Sequence, residues 1–106
     1  MTKKSGIVTV LSTASREQAP VIARALVEDR LVACVNSMPV RSVYRWQGGI
    51  CDEGETLLIM KTREENAGAV VAAVKRLHSY DVPEIIVLPV LKGYAPYLDW
   101  VARETG

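Results

Sequence analysis

The sequence predicts an α+β sandwich of order β-α-β-β-α-β with an extra C-terminal helix. Three observations carry that expectation. Short β-branched runs alternate with helical periodicities. Glycine-rich turn chemistry separates the two middle strands. The chain has 106 residues, 49% of them hydrophobic, which fits one domain spanning residues 1–106 and would leave two starved of core.

The elements follow each other tightly. Ile7-Val8-Thr9-Val10-Leu11 is short and β-branched, hence a strand. Ser15-Arg16-Glu17-Gln18 has the form of a capping box, opening a helix with Val21, Ile22, Ala25 and Leu26 on one side. Pro20 sits late for that cap and moves the expected start a residue or two onward. The helix should fade near Asp29-Arg30. Leu31 to Gln47 reads as a long strand region, broken or bulged at Pro39. In it Val40, Ser42, Tyr44 and Trp46 share one face, and Arg41, Val43 and Arg45 the other. Gly48-Gly49 and Asp52-Glu53-Gly54 supply turns, and Glu55 to Lys61 is the third strand. Thr62-Arg63-Glu64-Glu65 is a second capping box. It opens a helix whose Ala67, Val70, Val71, Val74, Leu77 and His78 recur at offsets of three, four and seven. Asp81-Val82-Pro83 ends that unit. Glu84 to Leu91 is a nearly unbroken apolar strand, and Tyr94 to Arg103 a short final helix.

Two right-handed βαβ units joined by a hairpin give a ferredoxin-like sandwich. Its second and fourth strands lie at the sheet edges. The fourth is apolar on both faces, and exposed edges of that kind invite pairing with another chain. A closed homo-oligomer is therefore expected. The hydrophobic fraction supports it, because a domain of this size covers only about 60–70% of its unfolded surface.

Charge and cysteine content narrow the function. Thirteen basic against twelve acidic residues leave a net charge of +1, a poor field for holding nucleic acid. Cys34 and Cys51 form no CxxC and have no His at metal-finger spacing, so both read as reduced thiols of a reducing compartment. Met1-Thr2-Lys3-Lys4 and the short run behind it fall short of a signal peptide. No apolar stretch nears the ~18 residues of a membrane span. A cytoplasmic protein without membrane or nucleic-acid partners is expected.

The fold hosts many functions, and several can be set aside. The first and third strands carry no aromatics to stack RNA bases. The loop after the first strand, Ser12 to Ser15, has no paired thiols for copper transfer. Arg16 has no glycines around it to cradle a phosphate. The single His, His78, has no orienting partners for a Ser-His-Asp arrangement. An enzyme is the least supported reading. The acidic group Asp52, Glu53 and Glu55 could attract a cation, but a solvated hairpin turn is the commoner explanation.

The segment His78-Ser79-Tyr80-Asp81-Val82-Pro83-Glu84 closely resembles the His-Pro-Tyr-x-x-Pro-Glu signature of the CutA divalent-cation tolerance family. Ala33-Cys34-Val35-Asn36, Ser42-Val43-Tyr44-Arg45-Trp46-Gln47-Gly48, Lys61-Thr62 and Tyr97-Leu98-Asp99-Trp100 resemble further motifs of that family, in order and with consistent spacing. The resemblance implies a homotrimer held by inter-subunit strand pairing, similar to the PII signalling proteins. It implies a role in tolerance to divalent metals, notably copper, and no enzymatic reaction. Some members carry a Cys where this chain has Ser12 and a second His where it has Leu77, so a Cys/His/His site cannot form from those positions. The signature's Pro is Ser79.

His78 near a helix C-terminus suits a cap of carbonyls, and imidazole is also the usual copper donor. Cys34 reads as a small buried hydrophobe; a metal role would need a neighbour such as His78. Lys61 and Glu84 border apolar strands and are expected to pair with each other. Alternatively they line a cleft with Tyr44, Trp46, Tyr80 and Trp100, the usual form of a small-ligand site. Otherwise the aromatics pack between subunits. The chain reads first as a trimeric cation-tolerance protein binding copper or another divalent ion weakly. A PII-like small-molecule sensor and a purely structural trimer are the alternatives.

Overall fold

A computed structural model of the chain describes residues 5–106; the Met1–Lys4 stretch read against a signal peptide lies outside the described residues. Seven main elements follow in order: β1 Ile7–Ala14, α1 Ala19–Glu28, β2 Cys34–Trp46, β3 Gly49–Arg63, α2 Ala67–Leu77, β4 Ile85–Val90 and α3 Ala95–Glu104. A 3₁₀ turn, Glu64–Asn66, precedes α2. The strands form one sheet in the order β2-β3-β1-β4, every neighbouring pair antiparallel. This is the expected ferredoxin-like arrangement, with β2 and β4 at the edges.

Strand alternation assigns the two faces. Val8, Val10 and Ala14 of β1 and Leu58 and Met60 of β3 pack against Ile22 and Leu26 of α1 and Val70 and Val74 of α2. On the opposite face Ile7 is buried outside that cluster, as is Val101 of α3. There Arg63 Nε donates to Thr105 Oγ1 across 3.2 Å.

Several local expectations are corrected. Ser15 Oγ accepts the Gln18 N–H at 3.1 Å, as a capping box requires. As the position of Pro20 led us to expect, α1 starts later than the cap, at Ala19, with Pro20 in its first turn. The Gln18 side chain does not return to that cap. It spans to the far end of α2, donating to Leu77 O at 3.0 Å and accepting from Ser79 N–H at 3.1 Å. The second capping box is absent. Thr62 is fully buried inside β3, where its hydroxyl donates to Leu31 O at 2.6 Å.

β2 starts at Cys34 and runs unbroken through Pro39, which pairs with Thr56 in continuous register. An edge strand tolerates proline because the missing N–H can face outward. The hairpin closes at Gln47-Gly48, both at positive φ (50° and 80°), as a two-residue turn matching strand twist requires. That tight closure carries the register onward through Asp52, Glu53 and Gly54, which pair with Val43, Ser42 and Arg41. The acidic group is therefore strand, not turn.

The hairpin outgrows the sheet. β1 pairs with β3 only from Thr56 to Arg63, so residues 49–55 and their partners on β2 project beyond the core. Along both edges large apolar side chains stay open: Val43 and Ile50 near the hairpin tip, and Ile86, Val87 and Leu88 on consecutive positions of β4.

Candidate functional site

The projecting hairpin and the segment linking α2 to β4 enclose a cleft of about 870 Å³. Of the residues expected there, Tyr44, Trp46, Tyr80 and Glu84 line it together. The other two do not reach it. Lys61 sits at the opposite end of the strands. Its Nζ hydrogen-bonds Asn36 Oδ1 and lies 3.9 Å from Cys34 Sγ. Trp100 is on α3, its ring centroid 5.7 Å from that of Tyr97. The Lys61–Glu84 ion pair is not formed. Register gives the reason: Lys61 stands level with Thr9 and Leu88, and Glu84 lies four residues before Leu88, roughly 13 Å along the strand direction at about 3.3 Å per residue.

His78 does not line the cleft but is bonded to two residues that do, Thr13 and Tyr80. It caps α2, its backbone N–H bonding Val74 O at 2.9 Å. Its Nε2 lies 2.7 Å from Thr13 O, which can only accept, so that nitrogen carries the proton. Its Nδ1 accepts the Tyr80 N–H at 3.2 Å. His78 is 8% exposed, and its ring centroid lies 4.4 Å from that of Tyr80. Both nitrogens are thus committed to the backbone. A metal at His78 would have to displace one of those bonds.

Cys34 is half-buried beside Lys61 and Asn36. It stands level with Thr9 through Lys61, four residues along β1 from Thr13. That again is roughly 13 Å, so Cys34 and His78 do not share a site within one copy. The Tyr97 phenol is held above its ordinary range by burial and by the adjacent Cys34 thiol. Among the described residues no three His, Cys, Asp or Glu side chains come together as a metal ion requires. The donor set of one copy does not fit a metal centre.

Residues read from the sequence as a solvated turn also shape the cleft. Glu55 is 7% exposed, and its carboxylate accepts from Tyr80 Oη at 2.9 Å. Glu53, two residues back on the same strand face, accepts from Tyr44 Oη. Arg41 also lines the cleft, its Nε 2.7 Å from Asp52 Oδ1. Burial, then the bond to Glu55, push the Tyr80 phenol up to about 12. The bond to Glu53 raises Tyr44. The signal for Glu53 and Glu55 lay in their period-two spacing, masked by the glycine between them.

The family model described as "CutA1 divalent ion tolerance protein" matches residues 7–104. The chain belongs to the CutA1 divalent ion tolerance family. A divalent-cation tolerance protein CutA of Thermus thermophilus is 46% identical over 100 residues, covering 93% of this chain and 97% of that one. The chloroplastic protein CutA 1 of Oryza sativa is 40% identical over the same share of this chain, which spans only 56% of that longer protein. Among solved structures, the CutA1 protein from Thermus thermophilus superposes with a TM-score of 0.90 at 47% identity, covering 94% of this chain and 99% of that one. The PII-like protein CutA from Nostoc, in apo form, does so with a TM-score of 0.90 at 37% identity, covering 93% and 97%. The CutA fold thus accounts for the whole described sheet and its three helices. No helix of the described residues is long and apolar enough to cross a membrane.

Proposed function

We propose that this chain works in divalent-cation tolerance as a homotrimer whose role is carried by its assembly and its cleft rather than by a built-in metal centre. The edges of the sheet support that reading best. β2 and β4 run in opposite directions across it. The β4 of a second copy therefore meets a free β2 in antiparallel register, which satisfies open backbone groups and covers Ile86 and Leu88. Such an edge-to-edge contact is head-to-tail and must close into a ring to remain soluble. Light scattering should give about 35 kDa, three times the 11.6 kDa chain. A monomer at micromolar concentration sinks the proposal.

A divalent cation such as copper meets this protein weakly, through a single donor, His78 or Cys34. Calorimetric titration with Cu²⁺ of wild type, His78→Ala and Cys34→Ser tests this. Identical curves for all three remove both residues. A PII-like sensor is the second reading, favoured by the cleft itself: an apolar aromatic wall with a few convergent polar groups is what small-ligand sites look like. No enzymatic step is proposed. Two free cysteines support a reducing, cytoplasmic setting.

A further inference from the structure

The projecting hairpin is longer than its support. β1 pairs with β3 only from Thr56 onward, so residues 40–55 form a ladder of two strands. Two strands alone are marginally stable in water, and a glycine inside a strand weakens it further. Gly54 is such a glycine, next to the point where the third strand stops. The neighbouring residue, Glu55, is buried there and accepts from Tyr80 Oη at 2.9 Å. Among the described residues no other side-chain hydrogen bond reaches the hairpin from outside it. Tyr80 belongs to the irregular segment between α2 and β4, and a loose loop would be a poor brace. This one is held from three elements. His78, bonded to Thr13 O of β1, accepts the Tyr80 N–H. Lys75 of α2 donates to Tyr80 O at 3.4 Å and to Asp81 O at 2.8 Å. Gln18, at the start of α1, accepts from the Ser79 N–H at 3.1 Å and from its hydroxyl at 2.9 Å, and donates to Leu77 O. None of these residues stands on β2 or β4, so the contacts do not depend on what pairs with the sheet edges.

We infer that Tyr80 braces the projecting hairpin against the rest of the fold, and that Gln18 is a positioning residue for that brace. The hairpin is thereby tied to the start of α1 through Ser79, although no hydrogen bond joins Gln18 to the hairpin itself among the described residues. Tyr80 and Glu55 both line the cleft, so the same contact sets the distance between the hairpin and the segment facing it. A change at the junction of α1 and α2 is felt at the hairpin by this route.

Amide exchange of the full chain in its native assembly, resolved by residue, tests this. In the wild type the ladder amides of the hairpin should exchange by local opening, faster than those of Val10 and Met60 in the sheet centre. Tyr80→Phe and Gln18→Ala should each speed the hairpin amides about tenfold, the effect of one hydrogen bond lost from the closed state. The double variant should exchange little faster than Tyr80→Phe alone, because Gln18 acts through Tyr80. Glu55→Gln keeps an acceptor for the Tyr80 hydroxyl and should hold the hairpin near its wild-type protection. A hairpin that exchanges at the wild-type rate in Gln18→Ala shows that the tie ends at Ser79, and overturns the inference. So does a wild-type hairpin that exchanges no faster than Val10 and Met60. So does a hairpin that keeps its protection in Tyr80→Phe, since a neighbouring copy would then be what holds it. Val10 and Met60 report any global loss of stability in the same samples.

Discussion

Ser12 offers a direct test of the packing described above. It lies mid-strand on β1 opposite Leu58, is fully buried, and its hydroxyl has no hydrogen-bond partner. The strand face it shares with Val10 and Ala14 packs against the two helices. A buried hydroxyl without a partner costs about 1–3 kcal/mol of desolvation. Ser12→Ala removes that cost and leaves a void of one oxygen atom, roughly 10 Å³. At about 24 cal/mol per Å³ the void returns only some 0.2 kcal/mol. The variant should therefore be more stable by about 1 kcal/mol per subunit. Guanidinium unfolding followed by tryptophan fluorescence reads this at matched chain concentration, because the proposed assembly would make the midpoint concentration-dependent. With a slope of about 2–6 kcal/mol per M, the midpoint should rise by about 0.2–0.5 M. A fall of similar size would show that the hydroxyl is bonded in solution, and the reasoning would fail.

Other expectations concern the cleft and the hairpin. Tyr80→Phe strips Glu55 of its hydroxyl partner and should destabilise by about 1–3 kcal/mol, read by the same unfolding assay. Because the Tyr80 phenol is raised to about 12 in the fold, its contribution is complete below pH 10 and lost as pH climbs through about 12. Phenolate absorbance that shows every tyrosine ionising near pH 10 would contradict that. Gln18→Ala removes the tie between the start of α1 and the end of α2. It should cost about 1–2 kcal/mol and speed amide exchange at Ser79 and Tyr80 above all. At the hairpin tip, Gln47→Gly relieves a positive φ and should be neutral to stabilising, by up to about 1 kcal/mol. Gly48→Ala should destabilise by about the same amount, and the reverse order of these two variants would refute the turn assignment.

The element order, the sheet edges and the long second strand were legible because each rests on a period that a short stretch declares. β4 is apolar at consecutive positions, and α2 repeats at helical spacing. What the sequence concealed was the fate of polar residues whose local chemistry has two uses. Asp52-Glu53-Gly54 carries turn chemistry, yet the true turn at Gln47-Gly48 needs a glutamine at positive φ, which no propensity favours. Once that turn closes, the acidic residues are carried into the ladder, and Glu55 faces the cleft. Thr62 reads as a helix cap but is more useful to the fold as a buried donor to Leu31. His78, Tyr80 and Glu84 of the site were singled out by the family resemblance, and Tyr44 and Trp46 by alternation. Lys61 was misplaced because distances across a sheet depend on register, and Trp100 because it lies on α3 beside Tyr97, outside the cleft.

The two free edges that suit a closed ring are equally suited to an open filament, since the same head-to-tail contact repeats without end if the rotation does not close. Each edge carries one proline, Pro39 on β2 and Pro89 on β4, and each proline removes a donor from any ladder built on it. A misregistered partner meets these gaps at the wrong positions and gains fewer bonds, while the ring need only place them where no bond is required. In the proposed ring the prolines would thus act as register keys against polymerisation. Replacing both with valine should leave the fold intact and speed scattering-detected fibre growth relative to the native chain.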